Sequence, residues 1–557
     1  MKRLVHIDGS NVLASAIIIA SSLIGILIPL VLKQAIDQQS GFANGTGIAL
    51  LGLFLFQAVL VTAGDYLMAR SGEHQVNAIR QRLMNHLLYT PKTFLDRQKS
   101  GDLASHIMND TNIIRTFFTT NVASFLAGVV TIIGSLIALF LLDWRLSLVL
   151  IFCFPLILLV TIPISSLSER FSKQLQEDTG ETTGLVSELF RKISLIKASA
   201  AESTTAEVTN RKFAALYKVA LKTDLIEAVA SPLVLLFLFG SVAVVFAYGG
   251  QRVAAGTLTV GTLMSFLIYL FQLLNPIGGL SSFFASLAKM KGATKQIQAL
   301  LATTQEILDV GSTPPTGDLL LSNVTFGYGN TIVLDNITME FKEHKKTAIV
   351  GPSGGGKTTI VGLIERFYQP QSGNIKLGNQ LVSDISLRRW RENIAVVDQN
   401  NDVMSGTIRE NLLFGVKQDY SQNQIYQVLN DVGLFKDVTE MPQGLETYVG
   451  EDGGLLSGGQ RQRLQIARAY LRDPNFIIFD EATANLDADT EFQVTSSLNK
   501  LLTNKTAILI AHRLSTITDA DEIYFLENHH ITGRGTHQEL MASHEAYRRF
   551  VEEQIIQ

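Results

Sequence analysis

Charge disappears from the first half of the chain in long blocks. No Asp, Glu, Lys or Arg occurs between Asp8 and Lys33, Asp37 and Asp65, Arg115 and Asp143, Arg145 and Glu169, Glu227 and Arg252, or Arg252 and Lys289. A helix crosses the hydrocarbon core of a bilayer with about 20 predominantly apolar residues. Six membrane-spanning helices are therefore expected, near residues 11–32, 47–69, 119–142, 146–168, 228–249 and 258–281, the last trimmed by its Gly, Gln and Asn content. Six soluble helices this apolar would each need partners covering every face. Membrane spans are the favoured reading.

The polar positions between the blocks give the orientation. One long connection carries Arg70, Arg80, Arg82, Lys92, Arg97, Lys99 and Arg115, and another carries Arg170, Lys173, Arg191, Lys192, Lys197, Arg211, Lys212, Lys218 and Lys222. The opposite side offers chiefly Arg145 and Arg252, in short loops. Lys and Arg concentrate on the cytoplasmic side of membrane proteins. Both termini are accordingly expected in the cytoplasm, in a multi-pass protein of the cell membrane. The two basic connections are too long and too helix-patterned to be turns, and are expected to continue the membrane helices. Asp65 and Glu227 stand at the cytoplasmic ends of two apolar blocks, where solvation at a helix end is the favoured reading and contact with a cationic substrate the alternative.

The pattern changes after residue 302. Residues 303–317 hold Gly311 and Pro314-Pro315, a turn-rich linker between a membrane domain (1–302) and a second domain (318–557). Short apolar runs such as Thr347–Val350 and Phe476–Phe479 there alternate with helical patterns, which suggests a parallel α/β sheet. Composition agrees with this division: only 17% of the 557 residues are charged, against about 25% in soluble proteins. The formal net charge of −4 gives no electrostatic reason to expect nucleic acid as a partner. The single cysteine, Cys153, cannot form an internal disulfide and lies in an apolar run.

Three constellations carry chemistry in the second domain. Gly351-Pro352-Ser353-Gly354-Gly355-Gly356-Lys357-Thr358 follows a short apolar strand and satisfies the phosphate-loop pattern. Its glycines let backbone N–H groups converge on phosphate oxygens, at a helix start whose dipole favours anions. Lys357 supplies a point charge for the β and γ phosphates, Thr358 a hydroxyl for Mg²⁺, and Thr359 continues the ATP-binding turn. Phe476–Phe479 ends in Asp480 and Glu481. Strand ends are where open α/β sheets hold ligands, so Asp480 is placed to orient Mg²⁺ through water and Glu481 to polarise the attacking water. Paired acids alone are usually solvated charges; the phosphate loop in the same domain shifts the balance. The third constellation, Leu456-Ser457-Gly458-Gly459-Gln460 before the helical stretch 461–471, is a second anion-binding helix start without a lysine. One site rarely needs two cradles, which hints that this one serves the nucleotide of another subunit.

Leu456–Gln460 resembles the signature motif of ATP-binding cassette proteins, and the order of motifs around it is similar throughout. The resemblance implies that Tyr328 stacks on adenine, that Gln399 meets Mg²⁺ and the attacking water, that Asp487 communicates across a dimer, and that His512 contacts the γ-phosphate. Ser457, Gly458, Gly459 and Gln460 would then cap the partner's ATP. Tyr448–Gly453 resembles the exporter-specific loop before the signature, and 94–110 and 188–202 resemble the regions of the two coupling helices. Residues 531–537 are similar to the bacterial multidrug exporter subgroup. Relatives commonly begin with a longer amphipathic elbow helix; here about ten residues precede the first span, so the elbow is short or the start is truncated.

The fold implied is an α-helical six-span exporter-type membrane domain fused to an α/β phosphate-loop nucleotide-binding domain. The function implied is ATP-driven export of a hydrophobic or amphipathic small molecule by alternating access. Partners would be the lipid bilayer and a second half-transporter; the intact motifs favour a homodimer, with an equally intact different partner as the alternative. A lipid or peptide exporter is the first rival, with the absence of a leading protease domain counting against peptide maturation. A non-transporting ATP-gated regulator is the second.

Overall fold

A computed structural model describes residues 9–37, 45–398, 402–480, 502, 504–510 and 517–556. The chain divides into two compact units, one formed by Met1–Leu87 with Ser100–Ala302, the other by Leu88–Lys99 with Thr303–Gln557. A short piece of the helical half thus belongs to the second unit.

The first unit is helical. Its elements are α1 (Gly9–Asp37), α2 (Thr46–Leu88), α4 (Ser100–Leu142), α5 (Trp144–Arg191), α6 (Ile193–Ala198), α7 (Glu202–Ala254), α8 (Val260–Gln272) and α9 (Leu274–Leu301); the four-residue α3 (Lys92–Leu95) belongs to the second unit. α1, α2 and α4 are each long and apolar enough to cross a membrane. At 53 residues, α7 is on the order of 80 Å long at 1.5 Å per residue, far beyond the ~30 Å hydrocarbon core. α7, α2 and α5 together carry ten of the sixteen basic residues named above in the two long connections. The sixth apolar block is observed as two helices meeting at Leu273.

Pro29 explains how α1 is held. A proline has no N–H to give the carbonyl four residues earlier, here that of Gly25, and Gln272 of α8 donates its side-chain amide to that oxygen at 3.2 Å. Tyr269 donates its hydroxyl to the carbonyl of Ile26 and Ser265 donates to that of Pro29. Asp37 finishes the seam by accepting from the Gly261 N–H at 2.9 Å and the Thr259 hydroxyl at 2.7 Å at the start of α8. Gly261 is required there, since a Cβ would stand 2.5 Å from the Lys33 carbonyl. Arg252 and Asp143 form a mostly buried ion pair at 2.6 Å, and Asp143 also caps α5 through the Leu146 N–H. α4 contains two π-helical turns, His106–Asp110 and Phe117–Asn121.

The second unit holds two sheets. Ten strands are described: β1 (Leu319–Tyr328), β2 (Thr331–Phe341), β3 (Lys346–Val350), β4 (Ser372–Leu377), β5 (Gln380–Leu381), β6 (Ile394–Val397), β7 (Phe476–Asp480), β8 (Thr506–Ile510), β9 (Glu522–Glu527) and β10 (His530–Gly535). The larger sheet runs β10-β9-β3-β8-β7-β6, parallel from β9 to β6, with β10 antiparallel at its edge. Its strands are apolar on both faces, as buried parallel strands must be. Ala348, Val350, Ile477, Phe479, Ala507 and Leu509 enter one core, while Ile349, Ile478, Ile508 and Ile510 enter the other. The smaller sheet, β2-β1-β4-β5, is antiparallel and had not been expected. β3, β8 and β7 are consecutive neighbours, so the loops that leave β3 and β7 open at the same edge.

Candidate functional site: a phosphate loop facing a strand-end acid

The loop after β3 folds as its glycines require. Gly351, Gly354 and Gly356 have φ of +154°, +78° and +98°, a region that side chains with a Cβ rarely enter. A Cβ on Gly351 would collide with the Leu526 carbonyl, and one on Gly356 would press on Val333 and Leu334. The turn is closed by the Gly355 N–H on the Pro352 carbonyl at 3.2 Å. Gly356 then caps α10 (Lys357–Ile364), whose first turn offers the leading N–H groups of Lys357, Thr358 and Thr359. Ser353 completes the loop and is exposed.

Lys357 is buried, and its ammonium donates to the carbonyls of Gly351 at 2.7 Å and Pro352 at 3.0 Å. The Thr358 hydroxyl donates to Asp480 Oδ2 at 3.2 Å. Residues 122 apart in sequence are thereby brought together where β3 and β7 end. Tyr328 ends β1 about half exposed, with its hydroxyl 3.4 Å from that of Thr359. Burial pushes the Glu365 carboxyl, just past α10, up to about 7, against the pull of Arg391 and Lys92.

The second helix start is α11 (Gly458–Arg472). Ser457 and Gln460 cap it reciprocally: the Gln460 N–H donates to the Ser457 hydroxyl at 3.2 Å and the Ser457 N–H to Gln460 Oε1 at 2.9 Å. Space around Gly458 is open, with nothing within 4 Å of a Cβ placed there, and Gly459 continues the first turn. Asp437 was not anticipated. It accepts from the Gln460 amide at 2.9 Å and from Arg463 at 3.2 Å, fixing the helix start from an adjacent helix. Tyr448–Gly453 forms a turn whose Gly450 and Asp452 have φ of +84° and +50°. A cavity of about 420 Å³ lies elsewhere on the unit, between Asp402, Met404, Phe414, Gln465, Arg468 and Arg472, and includes no phosphate-loop residue.

Gln399, Glu481, Asp487 and His512 lie outside the described residues. The candidate catalytic pair therefore rests on its place in the sequence, after β7 and β8 respectively. Among the expected residues, the structure brings together the phosphate loop, Thr358 and Asp480, sets Tyr328 beside Thr359, and leaves Ser457–Gln460 as a separate, open helix start.

Residues 12–277 match the family described as the ABC transporter transmembrane region, and residues 334–484 match the ABC transporter family. A multidrug resistance ABC transporter ATP-binding and permease protein of Lactococcus lactis subsp. lactis is 35% identical over 541 residues, 96% of this chain and 92% of the relative. An ATP-dependent lipid A-core flippase of Haemophilus influenzae is 30% identical, over 93% of this chain and 90% of the relative. A bacterial Atm1-family ABC exporter solved with ATP bound shares the fold, with a TM-score of 0.79 at 24% identity, over 98% of this chain and 97% of that one.

Proposed function

The chain belongs to the ATP-binding cassette exporters, a multi-pass membrane protein that couples ATP hydrolysis to substrate export, and on that premise we propose how its own residues divide the work. Two identical chains pair, with both ATPase domains in the cytoplasm. Each nucleotide is held by the phosphate loop of one chain and capped by Ser457–Gln460 of the other. The observation that carries this reading is the 3.2 Å contact from Thr358 to Asp480, which joins phosphate loop and strand-end acid in one site.

Their oxygens suit Mg²⁺, a hard cation that takes hydroxyl, carboxylate and water ligands. When bound, it neutralises charge on the β and γ phosphates. Lys357 adds a fixed charge to the same phosphates, and its present bonds to two loop carbonyls hold the ammonium inside the loop. Tyr328 offers an open aromatic face for adenine. Glu481 accepts the proton of the attacking water, and His512 contacts the γ-phosphate. Capping by the partner's α11 closes the cassettes and turns the membrane helices outward; hydrolysis removes the γ-phosphate that bridged them and lets them reopen.

The substrate is hydrophobic or amphipathic and drug-like, supported by the multidrug resistance relative that matches over nearly its whole length. The flippase relative supports a lipid as the second reading. The test is transport by proteoliposomes, with a cationic dye, a fluorescent lipid and a peptide offered in parallel. ATP-dependent dye movement is expected; movement of lipid alone would select the second reading.

A further inference from the structure

Tyr368 stands four residues beyond α10 and lies against it. A Cβ on Gly362 of that helix would be 2.8 Å from Cδ2 and Cε2 of the Tyr368 ring, so glycine makes room for the ring. The same ring meets Tyr328 edge to face, with centroids 5.3 Å apart and planes at 89°. Phe326 completes the cluster, 5.2 Å from Tyr328 and 5.4 Å from Tyr368. At its far end the Tyr368 hydroxyl donates to Asp96 Oδ2 at 2.8 Å.

Asp96 closes α3, in the Leu88–Lys99 segment that folds as part of this unit although 272 residues separate it from Tyr368. The segment is pinned from other sides too. The Glu306 N–H donates to the Tyr89 carbonyl at 2.7 Å, and the Lys92 ammonium lies 5.7 Å from the Phe367 ring centre. Lys92 also pairs with Asp96 Oδ1 at 2.8 Å. Burial opposes ionisation of Asp96, yet the bonds from Lys92 and Tyr368 prevail and hold it below the usual carboxylate range. It is therefore a charged acceptor at neutral pH, and hydrogen bonds to charged acceptors are the stronger kind.

An edge-to-face contact fixes the tilt of one ring relative to another. The tilt of Tyr328 sets the plane on which a stacked base must lie. Tyr368 cannot change its own tilt without losing either the Gly362 contact or the Asp96 bond. We propose that Tyr368 is a positioning residue for the nucleotide base, held in its tilt by Gly362 on one side and Asp96 on the other. The inference rests on the reading of Tyr328 as the base-stacking residue.

The test uses the full-length chain in lipid nanodiscs, with ATPase rate measured against ATP concentration. Tyr368→Phe keeps the ring and removes the hydroxyl; Asp96→Ala removes the acceptor. Each is expected to raise KM for ATP about three- to tenfold, the effect of losing one partly exposed charge-assisted bond, with kcat within about twofold of the parent. The double variant should be no worse than either single one. Asp96→Asn retains an acceptor and should restore most of the affinity lost in Asp96→Ala. Inorganic tripolyphosphate, which has no base, should inhibit every variant as it inhibits the parent. A parental KM in both single variants, additive losses in the double variant, or an equal loss of tripolyphosphate binding would each overturn the proposal. Should Tyr368→Phe fail to assemble, Asp96→Ala at its partly exposed position decides alone. A parent chain that does not hydrolyse ATP would instead overturn the reading of the nucleotide site.

Discussion

The two helix starts in the second unit proposed to face phosphate are built differently. At α10 the approach is enclosed: three glycines with positive φ, carbonyls of Leu526 and Val333 where side chains would be, and a buried lysine bonded to its own loop. At α11 the start is open, with no lysine in its first turn and free space around Gly458. The first needs Gly351 and Gly356 because their surroundings leave no room for a Cβ, and Gly354 because its φ is +78°. The second has glycine at a position where the protein offers no obstacle, which leaves its first turn open to a group from outside the chain. That contrast is the physical support for the proposal that α10 serves the chain's own nucleotide and α11 a partner's.

The largest effect that can break this contrast is expected from Glu481→Gln. The substitution keeps shape and removes the group that takes the water's proton, for which general-base losses are about 10²- to 10⁴-fold in rate. ATP should still bind at α10 and hold two chains together through α11. Steady-state hydrolysis should nearly vanish while an ATP-dependent closed dimer accumulates, visible by cross-linking between cassettes. Adding Ser457→Trp in the same chain should release that dimer. Hydrolysis at the parental rate would remove Glu481 from the chemistry altogether.

How much of this was legible in the sequence depends on how local the cause is. The phosphate loop was readable because its backbone demands glycine at fixed spacing, and Ser457 with Gln460 three residues on is the pattern of a capping box. The fold class was readable from charge-free blocks followed by alternating strand and helix patterns. The antiparallel β1–β2 hairpin was missed although its turn, Gly329-Asn330 between two β-rich runs, is a hairpin signal. The partners Asp437 and Asp96 could not have been read. Asp437 reaches Gln460 across 23 positions and Asp96 reaches Tyr368 across 272, and a single sequence carries no local mark of such contacts.

A second prediction bears on the enclosed start. Glu365 follows α10, and burial raises its folded pKa from 4.5 to about 7. A carboxyl raised in this way contributes fully below about pH 4.5, where both folded and unfolded chains hold the proton, and the contribution is lost as pH rises through about 7. The difference of some 2.5 units corresponds to a cost on the order of 3 kcal/mol at alkaline pH. Glu365→Gln should remove that slope. Thermal unfolding of the cassette, followed from pH 5 to pH 8, should fall for the parent and stay nearly flat for the variant; parallel curves would mean that Arg391 and Lys92 keep the carboxylate charged throughout.

Lys357→Ala comes next in size. It removes one charge-assisted donor to phosphate, worth about 1.5–3 kcal/mol or roughly 10- to 100-fold in ATP affinity. The lysine bonds to the carbonyls of its own loop, within the second unit, so the helical unit should insert as in the parent. Equilibrium binding of a fluorescent ATP analogue reads the loss, and aggregation of the variant in detergent would show that the side chain supports the core.

The smallest expected effect sharpens the open start rather than the closed one. Asp437 accepts from the Gln460 amide and from Arg463, so it sets the direction in which α11 presents its first turn. Asp437→Asn keeps one acceptor and replaces a charged partner of Arg463 with a neutral one, a change of about 1 kcal/mol. Nothing at α10 is touched, so ATP affinity of a single cassette should be unchanged. What should weaken, by about fivefold, is ATP-dependent association of two cassettes in the Glu481→Gln background, since that step alone uses α11. Gln460→Ala, which removes its bond to Asp437 and also its cap on the Ser457 N–H, should give at least as large a loss. If Asp437→Asn instead lowers ATP affinity before any association, the two helix starts are not separate half-sites, and the assignment of α11 to the partner's nucleotide fails.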